Sequence, residues 1–168
     1  VRNNHNQWEI SAMHSEWFGG IGKYDYLGVT LPGKNEKQRI ALSLIRFGVD
    51  DIPNTLSLYN EDGTVNFDNL SSFSASDYAF LFSYSKKIGK KTGINPLSMG
   101  LNAKIIQRNI GKFANSWGFG LDAGVQYHKN NVKAGIMFRD LTSTFNVWRF
   151  SFSEEEKNIL GVTGNDLP

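Results

Sequence analysis

Residues Asp77–Lys87, DYAFLFSYSKK, put Tyr78, Phe80, Phe82 and Tyr84 on one side of an extended chain and Ala79, Leu81, Ser83 and Ser85 on the other. Successive side chains of a strand point to opposite faces, so this segment reads as a strand with one aromatic face and one small, mixed face. The pattern recurs downstream. In Leu97–Arg108 the apolar side is Leu97, Met99, Leu101, Ala103 and Ile105, against Ser98, Gly100, Asn102, Lys104, Ile106 and Arg108. In Ser116–His128 it is Trp117, Phe119, Leu121, Ala123, Val125 and Tyr127, against Gly118, Gly120, Asp122, Gly124, Gln126 and His128. In Val132–Asp140 it is Val132, Ala134, Ile136 and Phe138, against Lys133, Gly135, Met137 and Arg139. So many apolar faces exceed what one small core takes in, and they predict a sheet whose outside meets lipid. Tyr78, Phe80, Phe82, Tyr84, Leu101, Phe119, Leu121 and Ile136 are the expected lipid-facing residues.

Composition narrows the kind of membrane protein. Apolar residues make up 40% of the 168, mean hydropathy is -0.36, and no apolar run approaches the roughly 18 residues of a spanning helix. A barrel passes the same test, because polar lumen residues dilute its hydropathy. The 17 glycines, 12 phenylalanines, 6 tyrosines and 4 tryptophans favour strands and tight turns. The absence of cysteine excludes disulfides and thiolate metal sites. A net charge of +2 with no basic block argues against a nucleic-acid partner. The opening VRNNHNQWEI lacks the basic, apolar and small-residue regions of a leader, and Asn165–Pro168 ends abruptly, so a stretch of a longer chain is expected.

Seven strands are predicted: Gln7–Trp17, Lys23–Leu31, Gln38–Phe47, Asp77–Lys87, Leu97–Arg108, Ser116–His128 and Val132–Asp140. The connections Pro32–Lys37, Ile88–Pro96 and Lys129–Asn131 fall on one rim; Phe18–Gly22, Gly48–Ser76, Asn109–Asn115 and the tail after Leu141 fall on the other. Short turns opposite longer loops, with strands near the roughly 9–11 residues that cross a bilayer, describe an outer-membrane barrel. The expected fold is therefore all-β, an antiparallel up-and-down transmembrane barrel. Its domain covers 1–168, with a long surface loop 48–76 and a loop plus short helix 142–164. Single-chain barrels close with an even strand number and lipid forbids open edges, so further strands must come from elsewhere. A soluble barrel or sandwich remains the alternative.

Catalytic signals are missing. His5, His14 and His128 sit on separate elements, no nucleophile, metalloprotease or phosphate-loop motif occurs, and no cofactor or metal is expected. Asn60–Gly63 has part of a calcium-loop pattern but reads as a turn. Lys104, Asp122 and Arg139 share the non-lipid parity of successive strands and form a candidate charge ladder inside the wall. Two loop regions are candidate partner-binding sites: Asp50, Asp51, Ile52, Pro53 and Asn54, and the apolar set Phe145, Trp148 and Phe150, which either packs over the barrel mouth or docks a protein. Ser153 and Glu156 have capping-box spacing for a short helix through Leu160, ended by Gly161.

Five stretches carry a resemblance. Glu16–Tyr26 (EWFGGIGKYDY), Arg46–Thr55 (RFGVDDIPNT), Ser72–Ala79 (SFSASDYA), Trp117–Asp122 (WGFGLD) and Thr144–Trp148 (TFNVW) resemble the PorV/PorQ-like family of Bacteroidota outer-membrane proteins. The resemblance implies a FadL-type barrel of about fourteen strands, of which this chain would supply roughly the middle half. It implies a non-enzymatic protein of the bacterial outer membrane, in contact with outer-membrane lipid. It also implies a role in type IX secretion, where a named member escorts cargo from the translocon to surface attachment machinery, so partners would be secretion components or secreted cargo. A FadL-like transporter of hydrophobic small molecules is the first alternative. A soluble binding protein using Trp17, Trp117 and Trp148 is the second.

Overall fold

Period-two alternation is resolved into an antiparallel sheet in a computed structural model that describes residues 7–35, 37–58, 64–88, 97–143, 145–154 and 156–158. The strands are β1 (Glu9–Trp17), β2 (Gly22–Pro32), β3 (Gln38–Asn54), β4 (Ser71–Ile88), β5 (Leu97–Ile110), β6 (Ala114–Lys129), β7 (Val132–Phe138) and β8 (Phe145–Phe150). β1 to β7 neighbour one another in chain order, and β8 pairs with β6. The architecture is all-β and up-and-down. The sheet is open: among the described residues β1 pairs only with β2, and β7 and β8 only with β6.

β7 and β8 are two halves of one row. From Phe138 to Phe145 the chain advances seven residues while its β6 partners advance four, from Ala123 to Phe119, so three extra residues interrupt the row. Asp140 and Ser143, at φ of +54° and +55°, form the break. The Leu141 amide still donates to the Leu121 carbonyl at 2.8 Å. Residues expected as loop within 142–164 are thus in part strand, because β6 has a free edge beyond Ala123 that Phe145–Phe150 fills.

The 48–76 loop is corrected in the same way. β3 and β4 zip seven residues past Phe47, to Asn54 opposite Ser71, leaving a connection of 55–70 whose described residues include a 3-10 turn, Phe67–Asn69. One register shift between Val49 and Ile52 accommodates Asp51, whose φ is +56°, as expected of a β-bulge. Beyond Val49, β3 has left β2 behind, so Pro53 lies where only one edge is paired. The rims differ less than expected. Residues 33–37, 89–96 and 130–131 connect strands at one rim and 18–21, 55–70 and 111–113 at the other, so 55–70 alone makes the second rim long. The two-residue turn 130–131 has Asn130 at φ +53°, the angle a tight hairpin demands.

The only buried apolar side chains among the described residues are Phe113 and Ala114, at the β5–β6 turn. Phe113 meets Phe73 edge-on at 5.2 Å and stacks with Phe152 at 6.0 Å, and the row continues through Phe150 to Trp148. The turn residue Gly111 has φ +48°, and a Cβ there would lie 3.0 Å from the Phe73 ring. The chain leaving β8 is tied down beside it: the Ser151 amide donates to the Phe113 carbonyl at 2.7 Å. A capping box follows, with the Ser153 amide donating to Glu156 Oε2 at 2.8 Å and the Glu156 amide to Ser153 Oγ at 3.2 Å. The expected helix end at Leu160 and Gly161 lies outside the described residues, as do Asn60–Gly63.

Two tests address this packing. Gly111→Ala should destabilise by about 1–2 kcal/mol from the left-handed backbone alone, lowering the thermal midpoint by about 3–8 °C. The second concerns Glu156, whose carboxyl the Lys112 ammonium at 2.8 Å, together with the Ser153 amide, holds below the usual carboxylate range. Its stabilisation is then complete above the ordinary glutamate range and is lost as pH falls through the depressed value. Hydrogen-exchange protection of the Lys157 amide should fall over that interval, and Glu156→Gln should flatten the dependence.

Candidate functional site

Register fixes which side chains share a face. Ile10, Val29, Leu42, Phe82, Ala103 and Leu121 lie in one cross-strand line, and Ala12, Leu27, Leu44, Phe80, Ile105, Phe119 and Phe145 in the next. Tyr84, Leu101, Ala123 and Phe138 form a third. All eight residues expected to meet lipid, with Ile136 paired to Val125 and Tyr78 to Gln107, fall on this one face. It is the uncovered face: Phe80, Leu101, Phe119 and Ile136 are 46%, 63%, 45% and 66% exposed, whereas Asp122 on the opposite face is 5% exposed.

The apolar lines stop at a polar one. His14, Asp25, Arg46, Tyr78, Gln107 and Trp117 follow in register on the same face. They are chained: the His14 ring bonds Asp25 at 2.7 Å, Arg46 reaches the other Asp25 oxygen at 3.0 Å, and its Nε donates to Tyr78 Oη at 3.3 Å. Tyr78 is therefore a boundary residue rather than a centre-of-band one. Sequence reading missed this chain because its members are spread over four strands.

The opposite face carries the charge network. Asp122 accepts from Asn102 Nδ2 at 2.9 Å, from Lys104 Nζ at 2.9 Å and from the Asp140 amide at 2.9 Å. Asn102 in turn accepts from Ser83 Oγ at 2.8 Å. Lys104 also meets the Asp140 carboxylate at 2.6 Å. Lys104 and Asp122 are thus joined, while the third partner is Asp140; Arg139 lies exposed past the end of β7. The break in the β7–β8 row turns Asp140 inward, which alternation counted from Val132 does not foresee. Gly120 makes the room, since a Cβ there would sit 2.7 Å from Lys104 Cε.

On the same side, a recess of about 950 Å³ takes lining from all seven rows, among them Glu9, Thr30, Arg39, Asn102, Gln126 and Met137. The sheet therefore curls with its polar parity inside. The lining offers hydroxyls, amides and charges but no nucleophile–base pair. Among the described residues no group of three His, Asp or Glu is placed to hold a metal. His14 and His128 stand at opposite ends of the sheet, and His5 lies outside the described residues.

The candidate partner-binding residues are on strands. Asp50 to Asn54 end β3, with Asp50 bonded to Lys23 at 2.8 Å. Phe145, Trp148 and Phe150 belong to β8: Phe145 stands on the apolar face, whereas Trp148 and Phe150 stack at 5.9 Å on the other. The three tryptophans considered as a binding platform do not share a face. Trp17 packs edge-on against Phe47 at 6.4 Å on the inner parity, with Trp148, while Trp117 is on the apolar face.

Comparison of the chain with protein-family models, with curated proteins and with solved structures finds no match.

The ion network makes a measurable claim. Lys104→Met leaves Asp122 and Asp140 facing each other without their shared cation. The loss should be about 2–3 kcal/mol, below the ~3–5 kcal/mol of a fully buried pair because Asp140 is half exposed. Adding Asp122→Asn to that variant should restore part of the thermal midpoint; an additive second loss would contradict the pairing.

Proposed function

We propose that this chain forms part of a transmembrane barrel of the bacterial outer membrane. We further propose that it is a non-enzymatic member of the PorV/PorQ-like group serving type IX secretion by binding cargo or machinery proteins at the cell surface. One observation carries the membrane reading: between the lines of Ile40 and Leu44 the exposed face of the curled sheet is apolar in every row, while the low-exposure ion pair of Lys104 and Asp122 is inside. In water that arrangement is inverted, since apolar surface gains from burial and charge from solvation. The accessible surface, 12579 Å², is about half again the ~8,300 Å² of a compact monomer of this mass. On β3 the band between Gln38 and Arg46 is about 27 Å long at ~3.4 Å per residue, or about 21 Å tall at a ~40° tilt, close to the ~25 Å band of outer-membrane barrels.

The secretion role has separate support, the five resembling stretches. Two of them, Arg46–Thr55 and Ser72–Ala79, run through the outer part of the β3–β4 hairpin, which projects past β2 beyond Val49. Protein partners would meet the molecule there and on the aromatic row ending at Trp148. A conduit for hydrophobic small molecules has weaker support, because Ser83, Ser85, Ser98, Asn102 and Gln126 interrupt the apolar lining of the recess.

Phe80→Arg and Phe119→Arg test the membrane reading. Each should lower the stability of the inserted protein by about 1–3 kcal/mol, the cost of a cation between the bilayer midplane and its interface. If the native protein instead stays monodisperse without detergent and both variants are neutral, the barrel reading is wrong. Envelope proteins cross-linked through residues 55–70 would support the secretion role, and none would remove it.

A further inference from the structure

Charge is segregated between the two rims in a way that the net +2 conceals. Beyond the line Ile40–Tyr84–Leu101–Ala123, toward the rim of turns 33–37 and 130–131, the described Lys, Arg, Asp and Glu residues are all basic. Five of them, Lys34, Lys86, Lys87, Lys129 and Lys133, have no carboxylate within 4.0 Å among the described residues. At the other rim five cations are neutralised, while Arg149 has no carboxylate within 4.0 Å among the described residues. Lys23 meets Asp50 at 2.8 Å, Arg46 meets Asp25 at 3.0 Å, Arg108 meets Asp77 at 3.3 Å, Lys112 meets Glu156 at 2.8 Å and Lys157 meets Glu154 at 2.7 Å.

We infer that the short-turn rim is a docking surface for the headgroups of anionic phospholipids. The inference rests on the bilayer reading and specifies which headgroup chemistry one leaflet presents. Two features choose lipid over another polyanion. Lys86 pairs with Met99 and Lys129 with Val132, so both stand on the apolar-banded face toward the short-turn rim, Lys129 at the end of its strand and Lys86 one line short of Ile88 and Leu97. A lysine at such a position can run its four-carbon stem along the apolar surface and carry its ammonium group to the level of a lipid phosphate. Lys34 lies in the β2–β3 turn of the same rim. Lys87 and Lys133, paired with Ser98 and His128, have the inner parity and add to the field without facing lipid. Unpaired cations near an anionic surface act additively and are screened by salt.

The test uses the detergent-purified protein reconstituted in phosphatidylcholine bilayers with a trace of spin-labelled phosphatidylglycerol or spin-labelled phosphatidylcholine. The motionally restricted shell should hold phosphatidylglycerol about threefold over phosphatidylcholine at low salt. The ratio should fall toward one at ~1 M salt, where the screening length is ~3 Å. Lys34→Gln, Lys86→Gln and Lys129→Gln together should abolish the preference. Lys87→Gln with Lys133→Gln should keep most of it, and Arg149→Gln with Lys157→Gln all of it. Circular dichroism reports folding for each, and Lys129→Gln alone should give a partial loss if the triple variant does not fold. Equal retention of both lipids overturns the inference while the bilayer reading stands. A preference governed by the Lys87 and Lys133 pair also overturns it, since the charge would then serve the recess. A protein with no restricted lipid shell fails at the bilayer reading itself.

Discussion

Unbroken antiparallel register is the constraint on which the other features depend. Parity is the only thing that separates the apolar face from the polar one, and a slip of one residue would exchange them. From β1 to β6 the lines through Ile10 and Ala12 run across the sheet without a shift. The two irregularities sit at or beyond the margin of the band. The bulge between Val49 and Ile52 comes after the polar line at Arg46, and the three-residue insertion after Phe138 is confined to the edge row. Irregular backbone thus occurs where it leaves the apolar lines from β1 to β6 on one face.

The same parity explains why the inner face can hold a low-exposure ion pair. Gly118, Gly120 and Gly124 leave Asp122 as the one side chain on that face of β6 between Ser116 and Gln126, and Lys104 reaches across Gly120 to Asp122 and Asp140. Three donors converge on the Asp122 carboxylate, so its burial is compensated by hydrogen bonds as well as by charge. The network also fastens the edge. Asp140 lies in the break between β7 and β8, and its amide and carboxylate tie that break to β6 and β5. A row that would otherwise separate into two short strands is held as one.

Much of this was legible in the alternation, because a half-apolar strand writes its parity directly into sequence. β2, β5 and β6 differ from their predicted spans by at most two residues at either end. The outer hairpin was not legible: Gly48–Asn54 and Ser71–Ser76 are polar and poor in strand formers, and they extend only because pairing already established at Phe47 propagates outward. β8 was hidden differently. In Phe145–Phe150 one side carries Phe145, Val147 and Arg149 and the other Asn146, Trp148 and Phe150, so neither face is polar and no alternation marks it. Asp140 was missed because a positive φ ends the count from Val132, and the sequence Arg-Asp-Leu-Thr does not announce that angle.

The open edges carry the argument one step further. Among the described residues β1 and the β7–β8 row each present one unpaired side, and lipid offers nothing to hydrogen-bond with exposed backbone. In a bilayer, whatever strands complete the sheet must pair with both edges. Their register is already prescribed: they must place apolar side chains beside Ile10 and Ala12 on one edge, and beside Ile136, Phe138 and Phe145 on the other. The second edge is the more demanding, because a regular strand laid along β7 would fall three residues out of step on reaching β8. Its partner must therefore carry a matching insertion or leave the break at 139–144 unpaired. The break retains its bonds to Leu121 and Asp122, whose side of the chain faces β6. The interruption that positions Asp140 against Lys104 is thus also the strongest restriction on what can close the sheet.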